Sequence, residues 1–367
     1  MLLRVAVFII RTDGGARFPA WFDGTVRKPP PTPSDQMPSA NPPRPLSRRI
    51  RNLFGAVPYA EPVDLRGRKI IVSGASPGSI GFETARTLAA WGASVVITTR
   101  SDPQDTLKAL RARLPAIGAR AELAAHPLDL SRADSVARFA GWYGAEHGGQ
   151  LDVLVNNAGV HLDLLSQWKE PHRSQDGFEI HWRTNYLGTS HLTHLLLPLL
   201  RATAQKSGEA RVVNVVSMLH RKGSNAGLFD GPQPYNSWTA YGLSKLALVH
   251  ATFELQRRYA AASATTSKVQ AYCLHPGAVF TNIAGKGLAG NRVIESVRNA
   301  LAPVERLFLL TPEEGAQTQV HCATRPQLAG GLYYEKCRMA LPSKEAQDQR
   351  VGARLWDETD AWVKALG

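Results

Sequence analysis

The chain has 367 residues, of which 44% are hydrophobic and 20% charged, a composition typical of globular proteins that bury a sizeable core. No run of 18 or more apolar residues occurs, so the sequence predicts no membrane-spanning helix. The three cysteines, Cys273, Cys322 and Cys337, are too widely spaced for a disulfide framework or a CxxC-type zinc site. The formal net charge of +13 raises the question of an anionic partner, either nucleic acid or a membrane surface.

Much of this charge lies at the N-terminus. Residues 1–60 hold nine Lys and Arg residues, three Asp and Glu residues, and ten of the 24 prolines. Proline fixes its own φ and lacks an N–H, so we predict a flexible basic leader over residues 1–61 and a domain over residues 62–367. For residues 1–10, a signal peptide, an unstructured leader and a true start at Met37 stay open. Residues 47–59 either lie on a membrane surface as a basic helix or pack against the domain.

From residue 65 onward, apolar strand patterns alternate with helical patterns. Strands are predicted at residues 69–73, 93–99, 123–128, 151–155, 211–217, 269–274 and 331–334. Helices are predicted at residues 81–91, 106–114 and 239–259, from residues 129–131, and from the capping box that begins at Thr311. Continuous apolar strands that alternate with helices indicate a single α/β domain with a doubly wound parallel sheet.

A glycine-rich turn, residues 74–81, separates the first strand from the first helix. Gly74, Gly78 and Gly81 leave room for a dinucleotide pyrophosphate to approach the backbone N–H groups at a helix N-terminus. An ordinary loop also contains glycines, but the strand before this turn and the helix after it favour nucleotide binding.

Arg100 follows the second strand, at the place where an acidic residue would bind the ribose of NAD. A guanidinium pairs with a 2′-phosphate, so we predict that NADP(H) is preferred over NAD(H). Two alternatives stay open. If the second strand ends later than predicted, Asp102 is the residue that binds the ribose. The other alternative is that Arg100 is a solvated surface charge with no part in cofactor binding.

Tyr241 and Lys245 are four residues apart, on one face of a predicted helix. A nearby ammonium favours the phenolate, so we expect Lys245 to lower the pKa of Tyr241 from about 10 toward working pH. Tyr241 is therefore a candidate general acid/base for an alcohol or carbonyl oxygen.

Several motifs accompany this pair in a fixed order. They are the turn at residues 74–81, Asp129-Leu130, Asn156-Asn157-Ala158-Gly159, Asn185, Ser217, Tyr241 with Lys245, and His275-Pro276-Gly277 followed by Thr281. Over residues 64–340 the sequence thereby resembles the short-chain dehydrogenase/reductase family, which implies a Rossmann-type fold. Residues 82–85 (FETA), 238–245 (WTAYGLSK) and 311–316 (TPEEGA) resemble its retinol-dehydrogenase-like branch, as does the 24-residue separation of Ser217 from Tyr241.

The resemblance implies a role for each motif. Ser217 would hold the substrate oxygen against Tyr241, Lys245 would also bind the nicotinamide ribose, and Asn185 would hold a water that links Lys245 to solvent. Besides Tyr241 and Lys245, the implied cofactor-binding residues are Gly74, Ser76, Gly78, Ile80, Gly81, Arg100, Asp129, Leu130, Asn157, Ala158, Gly159, Pro276, Gly277, Val279 and Thr281.

The sequence departs from the family pattern at three places. Gly78 and Gly81 are three residues apart where the family has two, which indicates one inserted residue around Pro77 and alters the turn expected to hold the phosphates. Ser73 replaces the usual threonine and keeps its hydroxyl. Val216 replaces a frequent second serine, which leaves Ser217 as the catalytic candidate.

Other residues carry weaker signals. His191 and His194 share a helix face but have no third ligand in view, so we predict no metal site. His220 either borders the substrate pocket or is an ordinary loop histidine, Trp238 is expected to border that pocket, and Cys273 is expected to be structural. Residues 284–310 form either a mobile lid over an apolar substrate or an ordinary helical cover.

The sequence therefore predicts an NADP(H)-preferring oxidoreductase that acts on a lipophilic alcohol, aldehyde or ketone. The alternative is a non-enzymatic nucleotide-binding sensor or scaffold on the same fold. Nucleic acid is not an expected partner, because no nucleic-acid-binding module accompanies the charge. We expect the protein in the cytoplasm, and we leave open peripheral membrane contact through the leader and homo-oligomerisation.

Overall fold

The computed structural model describes residues 57–115, 121–162, 168–261, 268–279 and 309–366. Within these residues, eight strands form one sheet in the order β3-β2-β1-β4-β5-β6-β7-β8. The strands are β1 Lys69–Val72, β2 Ser94–Thr99, β3 Leu123–Pro127, β4 Val153–Asn156, β5 Glu209–Val215, β6 Lys268–His275, β7 Leu332–Glu335 and β8 Arg338–Ala340. Neighbouring strands from β3 to β7 pair in parallel, and β8 pairs antiparallel with β7.

The described residues also form eight α-helices, of which the last follows the sheet and the others lie between its strands. They are α1 Ile80–Ala90, α2 Pro103–Arg111, α3 Ala133–Glu146, α4 Gly188–Ser207, α5 Gly227–Asp230, α6 Ser237–Gln256, α7 Pro312–Thr324 and α8 Gln349–Ala365. A π-helical segment, Trp182–Leu187, leads into α4, and a 3₁₀ segment, Met218–Lys222, follows β5. The helix starts follow local capping chemistry. Thr311 accepts a hydrogen bond from the Glu314 N–H while the Glu314 carboxylate accepts one from the Thr311 N–H, which confirms the predicted capping box.

The core is divided between the two faces of the sheet because strand side chains alternate. On β1, Ile70 and Val72 pack with apolar residues of α1, α2 and α7, whereas Ile71 packs with those of α3 and α4. Helix α6 lies on the same face as α4, and α8 packs on α6 through the buried Leu355. The structure thus confirms a doubly wound sheet that is covered on both faces.

Two predictions about elements need correction. The strand predicted at residues 331–334 is β7, but β8 and the long helix α8 follow it and were not predicted. Ser217 does not close β5, which ends at Val215; it caps the 3₁₀ segment instead. Asn185 lies in the π-helical segment, a local form that often marks functional sites.

The chain topology brings the motifs together. Strand order reverses between β1 and β4, and a crevice forms at such a point beyond the carboxyl ends of the strands. The glycine turn follows β1, Asn157 follows β4 and Ser217 follows β5, so all three lie at this edge. Residues 57–367 form one compact unit, and the predicted division at residue 61 stays a prediction. In the part of the chain that is described, no helix combines the length and apolarity needed to cross a membrane.

Candidate active site

In the glycine turn, the backbone at Gly74 lies very close to the backbone at Ala158. Gly74 has φ +71°, and a Cβ on it would lie 2.8 Å from the Ala158 Cα, so only glycine fits without displacement. The extra residue of this turn is accommodated at the start of α1. The Ser79 hydroxyl accepts the Phe82 N–H (3.1 Å) as helix cap, and the Ser79 N–H donates to the Ser76 carbonyl (3.0 Å). Ile80 is buried as the first residue of α1.

Side chains fasten the turn to the end of β4. The Asn157 Nδ2 donates to the carbonyls of Ser73 (2.9 Å) and Gly74 (3.1 Å). The Ser73 hydroxyl in return accepts the N–H groups of Asn157 (3.1 Å) and Ala158 (3.0 Å). Gln319 on α7 donates its Nε2 to the Asn157 Oδ1 at 3.0 Å. Gln319 was not found from the sequence, because nothing local in α7 indicates which loop it reaches.

Arg100 stands immediately after β2 and is exposed. A chain of hydroxyls lies beside it, with the Thr99 Oγ1 at 3.0 Å from the Ser76 Oγ and 2.7 Å from the Ser101 Oγ. The Asp102 carboxylate caps α2 by accepting the Gln104 N–H at 2.7 Å. Since β2 ends at Thr99, the condition that would have favoured Asp102 as a ribose ligand is not met.

Asp129 and Leu130 lie after β3 at the same edge of the sheet. The Asp129 Oδ1 accepts the N–H and the hydroxyl of Ser131, at 2.9 and 2.7 Å. Leu130 is buried, and its carbonyl accepts the Arg183 Nη1 at 2.8 Å. The loop that would border an adenine is therefore held from both sides.

Ser217 and Tyr241 meet beyond the end of β5. The Ser217 hydroxyl accepts the Leu219 N–H at 3.2 Å, and the Ser217 side chain lies close enough to the Tyr241 phenol to lower its pKa. Lys245, one turn along α6, is buried; its Nζ donates to the Val215 carbonyl at 3.0 Å and lies 5.8 Å from the centre of the Tyr241 ring. Ser217 and Lys245, the two residues predicted to act with the phenol, therefore both lie near Tyr241.

The electrostatics of the pair differ from the expectation. Burial raises the pKa of Tyr241 to about 12, and the hydrogen bond with Ser217 opposes this rise. Burial also lowers the pKa of Lys245 to about 8, because no carboxylate in contact compensates its charge. The predicted lowering of the phenol pKa by Lys245 is thus not met, since the ammonium is itself desolvated and directed at the Val215 carbonyl.

Asn185 is buried on the other side of Lys245. Its Oδ1 accepts the Val160 N–H (2.7 Å), while its Nδ2 donates to the Val160 carbonyl (2.9 Å) and the Ser244 hydroxyl (3.1 Å). A Cβ on Gly159 would lie 3.1 Å from the Lys245 Nζ and 3.2 Å from the Asn185 Oδ1. Asn185, Gly159 and Lys245 therefore share one small space.

The segment after β6 approaches the same crevice. Gly277 has φ +89°, and Val279 pairs with Leu310 just before α7. Pro276 is partly exposed. Thr281 and residues 284–308 of the predicted lid lie outside the described residues.

Two histidines that the sequence did not reveal lie around Tyr241, together with Trp238, which was expected there. The His161 ring stacks on the Tyr241 ring, with centroids 4.2 Å apart and planes at 14°. Trp238 packs edge-on against His161 at 5.2 Å, and the ring of His181 lies 6.1 Å from that of Tyr241. His161 follows the Asn-Asn-Ala-Gly motif by two residues, but its residue type alone indicates no role.

The other sequence candidates have plain structural surroundings. His220 is buried, and its ring contacts the Ser217 carbonyl. Cys273 is buried in β6, where desolvation raises the pKa of its thiol well above the ordinary value. Among the described residues, no group of three or more His, Cys, Asp or Glu side chains could hold a metal ion.

The crevice fits a dinucleotide. A helix N-terminus and a turn without side-chain bulk lie at one end, and a buried ammonium next to a phenol and a hydroxyl lies at the other. The first end suits a pyrophosphate, and the second suits the reacting ring and a substrate oxygen.

Sequence comparison gives an independent finding. Residues 68–291 match the family profile described as short chain dehydrogenase. Human retinol dehydrogenase 11 is 33% identical over 312 residues, which cover 84% of this chain and 90% of that protein. Mouse polyprenol dehydrogenase is 36% identical over 322 residues, which cover 85% of this chain and 88% of that protein.

Comparison with solved structures agrees on the fold. A crystal structure of an uncharacterised protein from Mycobacterium paratuberculosis matches with a TM-score of 0.60 and 29% identity, over 84% of this chain and 98% of the other. The RhlG/NADP active-site complex from Pseudomonas aeruginosa matches with a TM-score of 0.52 and 27% identity, over 74% and 94% of the two chains.

Proposed function

The chain belongs to the short-chain dehydrogenase/reductase family, in its retinol-dehydrogenase-like branch, and from this premise we propose that it transfers hydride between NADP(H) and a lipophilic alcohol or carbonyl compound. Membership makes the protein an NAD(P)-dependent oxidoreductase of alcohol and carbonyl groups. The observation that carries the finer proposal is the meeting of Ser217, Tyr241 and Lys245 beside the glycine turn.

In this proposal the nicotinamide, when bound, supplies or accepts the hydride. Ser217 donates a hydrogen bond to the substrate oxygen and aligns it with Tyr241, which moves a proton to or from that oxygen. Lys245, whose ammonium is near the Tyr241 phenol, accepts and releases a proton there. Its pKa of about 8 supports that role, because both protonation states are populated near neutral pH. Asn185 lies against Lys245 and continues the path of the proton.

The cofactor residues form the second part of the proposal. Gly74, Ser76, Gly78, Ile80 and Gly81 receive the pyrophosphate, and Arg100 with the neighbouring Thr99 and Ser101 hydroxyls receives the 2′-phosphate. The adenosine and nicotinamide ends are assigned to the remaining loops. These are Asp129, Leu130, Asn157, Ala158 and Gly159 on the adenosine side, and Pro276, Gly277, Val279 and Thr281 on the nicotinamide side.

A lipophilic substrate is supported by two observations. The relatives are named as dehydrogenases of retinol and polyprenol, both long apolar alcohols. The surroundings of Tyr241 include the rings of His161, His181 and Trp238, which leaves little water around the reacting oxygen.

The decisive experiment measures NADPH oxidation with a panel of retinoid, polyprenyl and short-chain aldehydes and ketones, and NADP⁺ reduction with the matching alcohols. Turnover should be lost in Tyr241→Phe and retained in the control Tyr259→Phe, a tyrosine just beyond α6. A parent protein that binds NADPH but turns over no substrate would instead favour the non-enzymatic sensor.

Cofactor choice has its own test. We expect the parent to bind NADPH more tightly than NADH, and Arg100→Ala to remove most of that difference, because the guanidinium pairs only with the 2′-phosphate. Lys108→Ala removes an exposed charge on the nearby α2 and should leave the ratio unchanged. Equal affinity of the parent for both cofactors would refute the assignment.

The last part of the proposal concerns the N-terminal leader, the location of the protein and its oligomeric state. Residues 1–61 make peripheral contact with an anionic membrane surface, which their excess of Lys and Arg supports. The protein works in the cytoplasm and at that surface, as a monomer or a homo-oligomer.

A further inference from the structure

The peptide unit after Ser217 makes two hydrogen bonds to side chains that the proposed mechanism does not use, besides the bond that the Ser217 carbonyl accepts from the His220 N–H at 3.0 Å. Both are hydrogen bonds to histidine rings, and both involve the single peptide unit between Ser217 and Met218. We infer that His220 and His275 are positioning residues that clamp this peptide unit and thereby set the direction of the Ser217 hydroxyl. The inference rests on the proposed function, because Ser217 matters only if its hydroxyl meets a substrate.

His220 holds the carbonyl end of the unit. Its side chain is wholly buried, its Nδ1 lies 2.7 Å from the Ser217 oxygen, and its Nε2 lies 3.0 Å from the Ser343 nitrogen. An amide N–H only donates, so the Nε2 is the acceptor, and the Nδ1 of the neutral ring donates to the Ser217 carbonyl. Burial lowers the pKa of His220 to about 4, which is consistent with a neutral ring.

His275 holds the amide end of the same unit. It is the last residue of β6 and is buried, and its Nδ1 accepts the Met218 N–H at 3.3 Å. The Nδ1 must therefore be unprotonated, which places the ring proton on Nε2. Burial also lowers the pKa of His275 to about 4. The carbonyl and the N–H of one peptide plane thus meet two neutral imidazoles from different parts of the chain.

The two histidines hold the chain just beyond the last hydrogen bond of the sheet. Pairing of β5 with β6 ends at Val215, and one more bond follows, from the Val216 N–H to the Leu274 carbonyl (2.9 Å). Ser217 lies beyond this bond. With the plane after it fixed, the Ser217 hydroxyl accepts the Leu219 N–H at 3.2 Å and stays near the Tyr241 phenol, whose pKa it lowers.

The clamp also joins Ser217 to two other elements. Through Ser343 it reaches the C-terminal segment, which docks on the 3₁₀ segment where the Arg221 Nη2 donates to the Leu341 carbonyl at 2.6 Å. Through His275 it reaches the start of the Pro276–Gly277 loop that is proposed to border the nicotinamide. A displacement of either element would therefore move the hydroxyl.

The test uses the full chain and four variants at the clamp, His220→Leu, His220→Gln, His275→Leu and His275→Asn. Leucine removes the bonds, whereas a glutamine amide can both donate and accept, and an asparagine oxygen can accept near the place of Nδ1. His250→Leu is the matched control. His250 is another buried histidine with a pKa lowered to about 4, but its Nε2 bonds to Asn225 (2.9 Å) and not to the Ser217 peptide.

Two readouts are required. Amide hydrogen exchange should become about tenfold or more faster at Ser343 in His220→Leu and at Met218 in His275→Leu. The kcat should fall about tenfold or more in both, while the dissociation constant of NADPH stays within about twofold. His220→Gln and His275→Asn should recover part of each loss, and His250→Leu should change neither exchange rate nor kcat.

The possible failures are distinct. Unchanged exchange at both amides in folded variants would show that no clamp exists. Faster exchange with an unchanged kcat would show that the two bonds are structural only, which overturns the positioning role. If the parent turns over no substrate, the proposed function fails, and the exchange rates still decide whether the peptide is clamped.

Discussion

Tyr241 lies between the stacked ring of His161 and the buried ammonium of Lys245. His161 stacks parallel on its phenol ring, Ser217 lies near its hydroxyl, and the Lys245 Nζ lies 5.8 Å from the ring centre. A parallel stack leaves the ring little freedom to tilt, so the phenol oxygen is fixed by packing as well as by hydrogen bonding. The reactivity of this residue therefore depends on neighbours that no motif includes.

We expect His161→Leu to lower kcat without a large change in NADPH affinity. Aromatic pairs contribute about 0.5–1.5 kcal/mol, which corresponds to roughly 2- to 12-fold in rate. His161→Phe should keep most of the activity, because it keeps a ring over the phenol. His126→Leu, which removes a ring tilted against Trp142 and not one that stacks on Tyr241, serves as the control. Equal kcat in His161→Leu and the parent would show that the stack does not orient Tyr241.

Lys245 predicts a pH dependence of stability. Its pKa is about 8 in the folded protein against an ordinary value of 10.5, so between these values only the unfolded chain keeps the proton. The free energy of unfolding must then rise with pH over this interval, because the unfolded state binds more protons. Below about pH 8 both states are protonated, and the full cost of the buried charge is present.

Urea denaturation of the parent and of Lys245→Met measures this effect. Relative to the variant, the parent should gain about 2 kcal/mol between about pH 7 and about pH 9.5. Subtracting the variant removes the contribution of other groups that titrate in alkali. A difference that stays constant over this range would contradict the lowered pKa.

At the scale of elements, the glycine turn and α1 work as one unit with β4 and α7. Asn157 bonds to the turn, and Gln319 of α7 bonds to Asn157. A phosphate-binding turn needs such support, because its own glycines contribute no packing. The position of the turn is therefore decided by two elements that follow it far along the chain.

Gly81→Ala should disrupt this unit. The new Cβ would lie 2.6 Å from the Gly74 carbonyl oxygen and against the Asn157 amide, so the turn or Asn157 must shift. We expect NADPH affinity to fall about tenfold or more, as measured by fluorescence titration. Gly141→Ala in α3 is the control. A Cβ there meets nothing within 4 Å, so stability should rise by up to about 1 kcal/mol with affinity unchanged.

At the scale of the molecule, the net charge of +13 is concentrated at the N-terminus. Nearly half of the excess lies in residues 1–60, and the compact unit begins at residue 57. Ala60 is part of that unit, since its side chain is buried and its N–H donates to the Gln317 Oε1 at 3.1 Å. A cut that tests the leader should therefore fall before residue 57.

A chain that starts at residue 57 should fold and keep its activity on water-soluble substrates, because residues 57–367 form one compact unit. Binding to vesicles that contain anionic lipid should be lost, because the basic segment is gone. Thermal unfolding, activity and vesicle sedimentation of the two chains measure this. An unfolded product would show that the leader belongs to the domain.

The sequence alone determined the fold class and the family, and it predicted a set of candidate site residues. Apolar runs that alternate with helical patterns are read locally, and the ordered motifs from Gly74 to Thr281 identify the family without coordinates. The capping box at Thr311 was also predictable, because it depends only on residues three apart. By contrast, α8 has a mean hydropathy too low to stand out, although its Leu355 and Trp356 are buried.

Only the tertiary structure decided how the site residues act on one another. The stack of His161 on Tyr241 and the bond of His275 to the Ser217 peptide join residues distant in sequence, and the desolvation that raises the pKa of Tyr241 and lowers that of Lys245 depends on the whole surrounding fold. Burial and hydrogen-bond geometry depend on every element packed around a group. The spacing of Tyr241 and Lys245 on α6 therefore identified the pair, whereas its charge state required the surrounding fold.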